Sequence, residues 1–344
     1  MKGMDGPIAH LVSRLRKTGG DGLVAVLAYG SRLVSASPDR HSAYDLIVVV
    51  DDYGAFYRAL SDGGYTARSA GLLATVSRVL PPTVIAFWPA PPDGPLAKCL
   101  VLSRADFQRE LGPRRLDHFC LGRMAHHISV VHARDPEAAA WVEELIAGAR
   151  RMVLDWTLPF LEGSFSVDDF CRRMLEISYA GEIRPERGGR VSAVYEAQRE
   201  TLRGIYAPIL EAEVASGILE RSNGRYRAAR PASSVAQLRL NAYFGISKAR
   251  ATTRWVKHML TFDSWFPYIV RKVERRTGMT LEITPLERRF PFPLLLPKAL
   301  RVLRAGRVQS RVDRKSGGGR GRPAPETRTG GRGSSRASNG AGAS

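Results

Sequence analysis

The chain has 344 residues and a formal net charge of +19, and 44% of its residues are hydrophobic. This length is typical of two domains, and the hydrophobic fraction excludes a chain that is disordered throughout. Residues 301–344 contain ten Arg and one Lys against one Asp and one Glu, a net +9, which leaves +10 for the first 300 residues. The positive charge therefore lies in two regions that need not share one cause.

The cysteines and the apolar segments indicate the compartment. Cys99, Cys120 and Cys171 are far apart in the sequence and fit neither a disulfide framework nor a zinc site, which is typical of a reducing compartment. No stretch approaches the roughly 20 apolar residues that a spanning helix needs, and the N-terminus lacks an apolar signal core. We therefore expect a protein on the cytoplasmic side of the membrane.

Residues 1–145 alternate between helical and strand patterns. Leu11, Val12 and Leu15 have the spacing of one helix face. Apolar runs predict strands at Leu23 to Ala28, Tyr44 to Val50, Thr83 to Trp88 and Lys98 to Leu102. Helices are predicted at Gly54 to Leu60 and after Ser103. Strands that alternate with helices predict an α/β or α+β domain, and for the whole chain we expect the α+β class.

The remainder of the chain is predicted to be mainly helical. We expect a helical domain over 146–248, with a turn at Ser222-Asn223-Gly224, and basic amphipathic helices over 249–304. The tail 305–344 is dominated by Arg, Gly and Ser and is expected to be disordered, since it has almost no large apolar residue to bury.

One motif near the N-terminus has a specific chemical meaning. Tyr29-Gly30-Ser31 ends a predicted buried strand, and Asp45 begins the next one. A strand-terminal Gly lets the backbone approach a phosphate closely, and the Ser hydroxyl can donate to phosphate oxygens. A carboxylate on the neighbouring strand can then hold Mg²⁺ against the same oxygens. This order and spacing resemble the nucleotidyltransferase superfamily related to polymerase β.

The motif departs from that superfamily at one position. A second carboxylate is expected two residues after Asp45, on the same face of the strand, but residue 47 is Ile. Asp51 lies roughly 20 Å further along an extended strand, so Asp51 and Asp52 could contribute only if the chain turned back. One convincing metal carboxylate, Asp45, is left.

Further segments follow in an order that resembles one family. They are Lys98-Cys99-Leu100-Val101-Leu102-Ser103 followed by Asp106, Leu121-Gly122-Arg123-Met124-Ala125-His126, Ile177-Ser178-Tyr179-Ala180-Gly181-Glu182-Ile183-Arg184, Arg190-Val191, and Leu202 to Leu210 with Tyr206 and Pro208. Together with the Tyr-Gly-Ser and Asp-Leu-Ile segments, they resemble the mitochondrial-type phosphatidate cytidylyltransferases, the translocator assembly and maintenance proteins, in which Tyr-Gly-Ser is followed by Asp-Phe-Ile. The resemblance covers about residues 25–280. Glu182 stands where the family has Asp, and Arg190 where it has Lys.

The resemblance implies a fold and a reaction. The fold is a polymerase-β-like nucleotidyltransferase domain followed by a winged-helix-like domain and C-terminal helices. The reaction is Mg²⁺-dependent transfer of CMP from CTP to phosphatidate, which gives CDP-diacylglycerol and pyrophosphate. By position, Tyr29, Gly30 and Ser31 would cradle the triphosphate, Asp45 would hold Mg²⁺, and Lys98 would neutralise phosphate charge. Residues that would bind the nucleotide from further along the chain are Arg123, Glu182, Arg184 and Arg190.

A lipid substrate requires access to a bilayer. Residues 267–304 contain nine basic residues against three Glu, interleaved with Phe and Leu. Cations attract anionic lipid and apolar side chains can enter the interface without spanning it. We therefore expect a peripheral protein on the inner face of the cell membrane, or on the matrix side of the mitochondrial inner membrane in a eukaryote. The oligomeric state is left open.

Three other functions stay open on the sequence. A nucleotidyltransferase could use a different phosphate acceptor, and Ile47 would be compatible with an inactive nucleotide sensor. The high positive charge and the Arg/Gly tail could also belong to a nucleic-acid-binding protein. A specific nucleic-acid partner is not expected, since no RNA-binding motif and no strip of alternating aromatic and basic residues is present in the first 304 residues.

Overall fold

The computed structural model describes residues 6–34, 42–91, 94–180, 190–230 and 232–261, together with Thr284. The chain forms two compact units, Met1–Trp265 and Phe266–Ser344. With the exception of Thr284, the described residues belong to the first unit. The predicted basic helices over 267–304 and the predicted tail lie outside the described residues.

The described part is α+β. Its strands are β1 Leu23–Tyr29, β2 Tyr44–Val50, β3 Thr83–Phe87, β4 Ala97–Ser103, β5 Ile128–Ala133, β6 Leu219–Ser222 and β7 Arg225–Ala228. Its α-helices are α1 Pro7–Gly19, α2 Ser31–Val34, α3 Tyr53–Asp62, α4 Ala70–Val79, α5 Arg104–Leu111, α6 Phe119–Met124, α7 Pro136–Arg151, α8 Val153–Thr157, α9 Val167–Ala180, α10 Arg190–Ala215 and α11 Ser234–Thr261. Among these residues, none of the helices combines the length and apolar character that crossing a bilayer requires.

The first five strands form one mixed sheet in the order β3-β4-β2-β1-β5. β1 pairs antiparallel with β2 and with β5, β3 pairs antiparallel with β4, and the central pair of β2 and β4 is parallel. The parallel pair requires a crossover between β2 and β4, which α3 and α4 supply together with β3. The sheet places the ends of β1, β2 and β4 next to one another.

Side chains of the sheet alternate between two buried faces. One face packs against α1, α3 and α4 through Leu46, Val48 and Val50 of β2. The other face contacts α5, α7 and α11. Because successive side chains on a strand point to opposite faces, Asp45 and Ile47 belong to this second face. Both faces are covered, which explains why the predicted strands are continuous apolar runs.

Helix starts follow from short polar side chains. The side chains of Asp52, Ser69, Ser103 and Asp135 accept hydrogen bonds from the backbone amides three residues further on, at the N-termini of α3, α4, α5 and α7. The helix start predicted at Ser103 is confirmed, and so are the four predicted strands, to within one or two residues.

The second half of the unit is helical except for one hairpin. α9 packs along α10, and β6 and β7 form a two-stranded hairpin after α10. Asn223 and Gly224 turn the hairpin with φ angles of 49° and 73°, which is why an Asn-Gly pair occupies the predicted turn. The boundaries predicted at 145/146 and 248/249 fall within α7 and α11, so each of these helices continues across a boundary.

Candidate functional site

Three of the predicted site residues form one row across the sheet. Tyr29 of β1 pairs with Asp45 of β2, and Asp45 pairs with Lys98 of β4. Side chains in register on neighbouring strands lie on the same face with Cβ atoms about 5 Å apart. All three are partly exposed, whereas the next row inward, Leu27, Ile47 and Leu100, is buried. The row is therefore the polar end of an otherwise apolar face.

Gly30 closes this end of the sheet and lies against Asp45. Its φ of 85° is in the left-handed region, where residues with a side chain are strained. A Cβ on Gly30 would also lie 2.6 Å from Asp45 Oδ2. Two independent features, the backbone conformation and the contact with the carboxylate, therefore require glycine. The Asp45 carboxylate occupies the position that a side chain on residue 30 would take, so glycine brings this carboxylate close to the backbone of the turn.

Ser31 begins the four-residue helix α2, and its side chain is exposed next to Gly30. The adjacent Arg32 joins α2 to the start of β2. Its Nε donates to Ser42 O at 2.5 Å, its Nη1 donates to Tyr44 Oη at 3.0 Å, and its guanidinium stacks 4.3 Å from the Tyr44 ring centroid. These contacts of Arg32 position Tyr44, the residue that precedes Asp45. No sequence pattern pointed to Arg32, because one Arg beside a Gly-Ser turn is no signal on its own.

Arg123 approaches the row from α6. Its guanidinium lies 5.7 Å from the Tyr29 ring centroid and 3.6 Å from the Phe119 ring centroid, and its Nη1 donates to Phe119 O. Arg254 of α11 stacks on Phe119 as well, at 4.4 Å. Two guanidinium groups thus share one aromatic ring, and Arg123 is oriented by cation–π contacts towards the polar row.

A half-buried histidine lies near this group. Burial, followed by the charges of Lys257, Arg254 and Arg123, lowers the pKa of His258 to about 3. Its Nε2 is buried and has no hydrogen-bond partner within the described part of the chain. His258 is therefore neutral at physiological pH, and the positive charge near the row belongs to Lys98 and the arginines. No sequence pattern pointed to His258 or Arg254, because both come from a helix more than 100 residues after Arg123.

The two acidic residues that follow β2 do not reach the row. Asp51 accepts a hydrogen bond from Arg134 at 2.6 Å and donates its backbone amide to Gly22 O, at the opposite end of β1 from Tyr29. Asp52 caps α3 and pairs with Arg78. The chain does not turn back, so neither carboxylate joins Asp45. Ile47 is fully buried in the sheet.

The residues of the row suit a metal ion that takes most of its ligands from water and substrate and only one from the protein. In the described residues, no three His, Cys, Asp or Glu side chains lie together as a metal site. Mg²⁺ is ordinarily bound through one or two carboxylates, with substrate phosphates and water as the other ligands. Asp45 fits that pattern, and Lys98 beside it can neutralise a bound phosphate.

Three predicted site residues cannot be placed at the row. Glu182 and Arg184 lie outside the described residues. Arg190 is the first residue of α10, and its side chain is not among those described. Further along the same helix, Gln198 Oε1 accepts a hydrogen bond from the His127 amide at 3.0 Å, next to α6. α10 therefore packs against the segment that follows Arg123.

The chain matches none of the protein-family models with which it was compared, and no curated protein is similar enough to count as a match. The motifs and the geometry of the row therefore carry the functional assignment.

Proposed function

We propose that the protein is a phosphatidate cytidylyltransferase that transfers CMP from CTP to phosphatidate. The observation that carries the proposal is the contact between Asp45 and Gly30, which lie together at the end of a row that also holds Lys98. A metal-bound triphosphate needs a carboxylate for the metal, a backbone that it can approach closely and a positive charge, and Asp45, Gly30 and Lys98 supply these groups. The choice of CTP and phosphatidate rests on the resemblance of the motifs to the translocator assembly and maintenance proteins.

Each residue then has a role in the reaction. Gly30 allows the triphosphate to approach the backbone, and the Ser31 hydroxyl donates to a phosphate oxygen. Lys98 and Arg123 reduce the repulsion between the triphosphate and the incoming phosphate of the lipid, both of which are anionic. Asp45 holds Mg²⁺, which when bound supplies positive charge to the phosphates and the leaving pyrophosphate. Tyr29 keeps Arg123 oriented through its ring.

The proposal includes a fold and a location. The sheet with its Gly-Ser turn would be a polymerase-β-like nucleotidyltransferase core, and α9, α10 and the β6–β7 hairpin would be a winged-helix-like domain. A helix pair followed by a hairpin supports the second part. The protein would work on the inner face of the cell membrane, or on the matrix side of the mitochondrial inner membrane, where residues 267–304 would contact anionic lipid.

The test is a transfer assay on the full chain. CTP labelled in the α-phosphate is incubated with Mg²⁺ and phosphatidate in detergent micelles, and labelled CDP-diacylglycerol is separated by thin-layer chromatography. Asp45→Asn should reduce the rate by about 10²-fold or more, since it removes the metal carboxylate at constant size. Asp51→Asn, directly after the end of the same strand, is the matched control and should retain the wild-type rate.

Two outcomes would overturn the assignment. Labelled product with another phosphate acceptor, and none with phosphatidate, would show a nucleotidyltransferase of different specificity. Equal rates for Asp45→Asn and wild type would show that the row is not the catalytic centre.

A further inference from the structure

α11 contacts the rest of the unit through polar and aromatic side chains. Its described side chains include four buried polar ones, Ser247, Arg254, Lys257 and Thr261. Each makes hydrogen bonds to the rest of the unit, for example from Arg254 to Asp117 at 2.6 Å and from Thr261 Oγ1 to Val84 O at 2.9 Å. The half-buried rings of Tyr243 and Phe244 pack against His118, and Phe244 also packs against Trp156.

Three large apolar side chains of the same helix are exposed to solvent. Val235, Leu238 and Ile246 are 58%, 69% and 58% exposed. Their spacing of three and eight residues puts them on one face, and Ala242 and Ala249 continue the stripe between and beyond them. Large apolar side chains that are exposed in a row on one helix mark a surface that something else covers.

The stripe lies among basic side chains. Between Glu220 and Asp263 the sequence contains no Asp or Glu and nine basic residues, Arg221, Arg225, Arg227, Arg230, Arg239, Lys248, Arg250, Arg254 and Lys257. Of these, Arg254 and Lys257 are buried, and Arg221, Arg225 and Arg250 pair with Glu211, Asp169 and Asp117. Arg227, Arg230, Arg239 and Lys248 are exposed, and Arg239 and Lys248 lie on either side of the stripe by helical geometry. The exposed face of α11 thus has an apolar centre flanked by cations.

We infer that the exposed face of α11 docks on an anionic lipid bilayer, with Val235, Leu238 and Ile246 in the interface and Arg239 and Lys248 at the lipid phosphates. Phosphates attract the cations, and the acyl boundary accepts the apolar stripe. A nucleic acid would satisfy the cations only. A second copy of the chain would bring the exposed cations of two α11 faces together, which repel.

This inference deepens the proposed function. It rests on that function only in one respect, which is that a lipid substrate explains why the protein would bind a bilayer. It assigns the membrane contact to α11, a segment that precedes the predicted contact over 267–304. The helix is anchored to the unit that holds the polar row by the bonds from Arg254 and Thr261, so docking would bring that unit to the lipid surface.

The test is flotation of the full chain with vesicles of phosphatidylcholine and phosphatidylglycerol, with neither CTP nor phosphatidate present. Val235→Gln/Leu238→Gln/Ile246→Gln should lower the partition coefficient about tenfold or more, since it removes the apolar contact. Leu72→Gln/Val79→Gln on α4 is the matched control, because these side chains are 49% and 77% exposed, and it should float as the wild type does.

The charges are tested separately. Arg239→Gln/Lys248→Gln should weaken binding by about fivefold for each cation, whereas Arg14→Gln/Lys17→Gln on α1, with the same loss of charge, should have little effect. The triple α11 variant should still transfer CMP to a short-chain phosphatidate dispersed in detergent, so that failure of docking and failure of the proposed chemistry are read separately.

Three results would overturn the inference. The triple variant could float as well as the wild type. The wild type could be a dimer in sedimentation that the triple variant converts to a monomer, in which case the stripe is an interface between copies. Binding of RNA that is lost in Arg239→Gln/Lys248→Gln, without any binding to vesicles, would identify a nucleic-acid surface instead.

Discussion

The Asp45 carboxylate lies against the α-carbon of Gly30, so close that a methyl group there would come within 2.6 Å of Asp45 Oδ2. The two residues are 15 positions apart and belong to the ends of two antiparallel strands. Their contact joins a phosphate-binding type of turn to a metal-binding type of side chain. It therefore predicts the effect of adding a single methyl group at residue 30.

Gly30→Ala should reduce CMP transfer by at least about tenfold, since the new methyl group displaces the carboxylate and small displacements at a reacting centre are costly. Gly64→Ala is the matched control, because Gly64 also has a positive φ, of 71°, but has no atom within 4 Å of a Cβ. Both variants should lose about 1 kcal/mol of stability from backbone strain, measured by urea unfolding. Equal activity of the two variants would contradict the role of the contact.

Ile47→Asp should destabilise the protein rather than supply a second metal carboxylate. Ile47 is fully buried among Leu27 and Leu100, and a carboxylate there would lose its hydration without a partner. We expect a loss of several kcal/mol in the free energy of unfolding, against about 1 kcal/mol for Ile47→Val. A stable Ile47→Asp variant with tighter Mg²⁺ binding would show instead that this position is open to the site.

Lys257 predicts a dependence of stability on pH. Its Nζ donates to Leu80 O, Pro82 O and Thr83 Oγ1, and burial, followed by Arg254 and Arg250, lowers its pKa to about 7. Because the unfolded chain binds the proton up to about pH 10.4, folding releases it, and stability rises with pH above about 7.

The rise is at most about 1.4 kcal/mol for each pH unit. Wild type and Lys257→Met should therefore diverge between pH 7 and pH 9 in chemical denaturation, with the steeper slope in the wild type. Parallel slopes would mean that Lys257 keeps its proton in the folded protein.

Asp117 connects α11 to the loop before α6. It is fully buried and accepts hydrogen bonds from Arg250 at 2.8 Å and from Arg254 at 2.6 Å. Burial alone would raise the pKa of Asp117, but Arg254 and Arg250 outweigh it, so that the pKa is lowered. Asp117→Asn should cost about 3 kcal/mol in thermal or urea unfolding, because it leaves two guanidinium groups without a counter-charge.

Asp62→Asn, at the exposed end of α3, is the control and should change the stability by less than about 0.5 kcal/mol. If both variants have the same free energy of unfolding, Asp117 is not needed to stabilise Arg250 and Arg254 in the folded protein.

The strands and several helix starts could be predicted because their causes are local. β1 and β2 are apolar runs bounded by Gly and Asp, and Ser103 caps α5 three residues before Asp106. β5 was missed, since Ile128–Ala133 follows two histidines and includes a third, and a strand of mixed composition shows no period until it pairs with β1. The hairpin was predicted as a turn only, because four-residue strands are too short for a pattern.

The candidate site divides in the same way. The sequence by itself determined which residue types are present in the motifs, that Gly30 precedes Ser31 and that residue 47 is not acidic. Only the tertiary structure decided that Tyr29, Asp45 and Lys98 share one row, that Asp51 and Asp52 belong to the other end of the sheet, and that α11 exposes Val235, Leu238 and Ile246. The physical reason is that registers between strands and the docking of a helix depend on contacts between residues tens to more than a hundred positions apart, which no local pattern records.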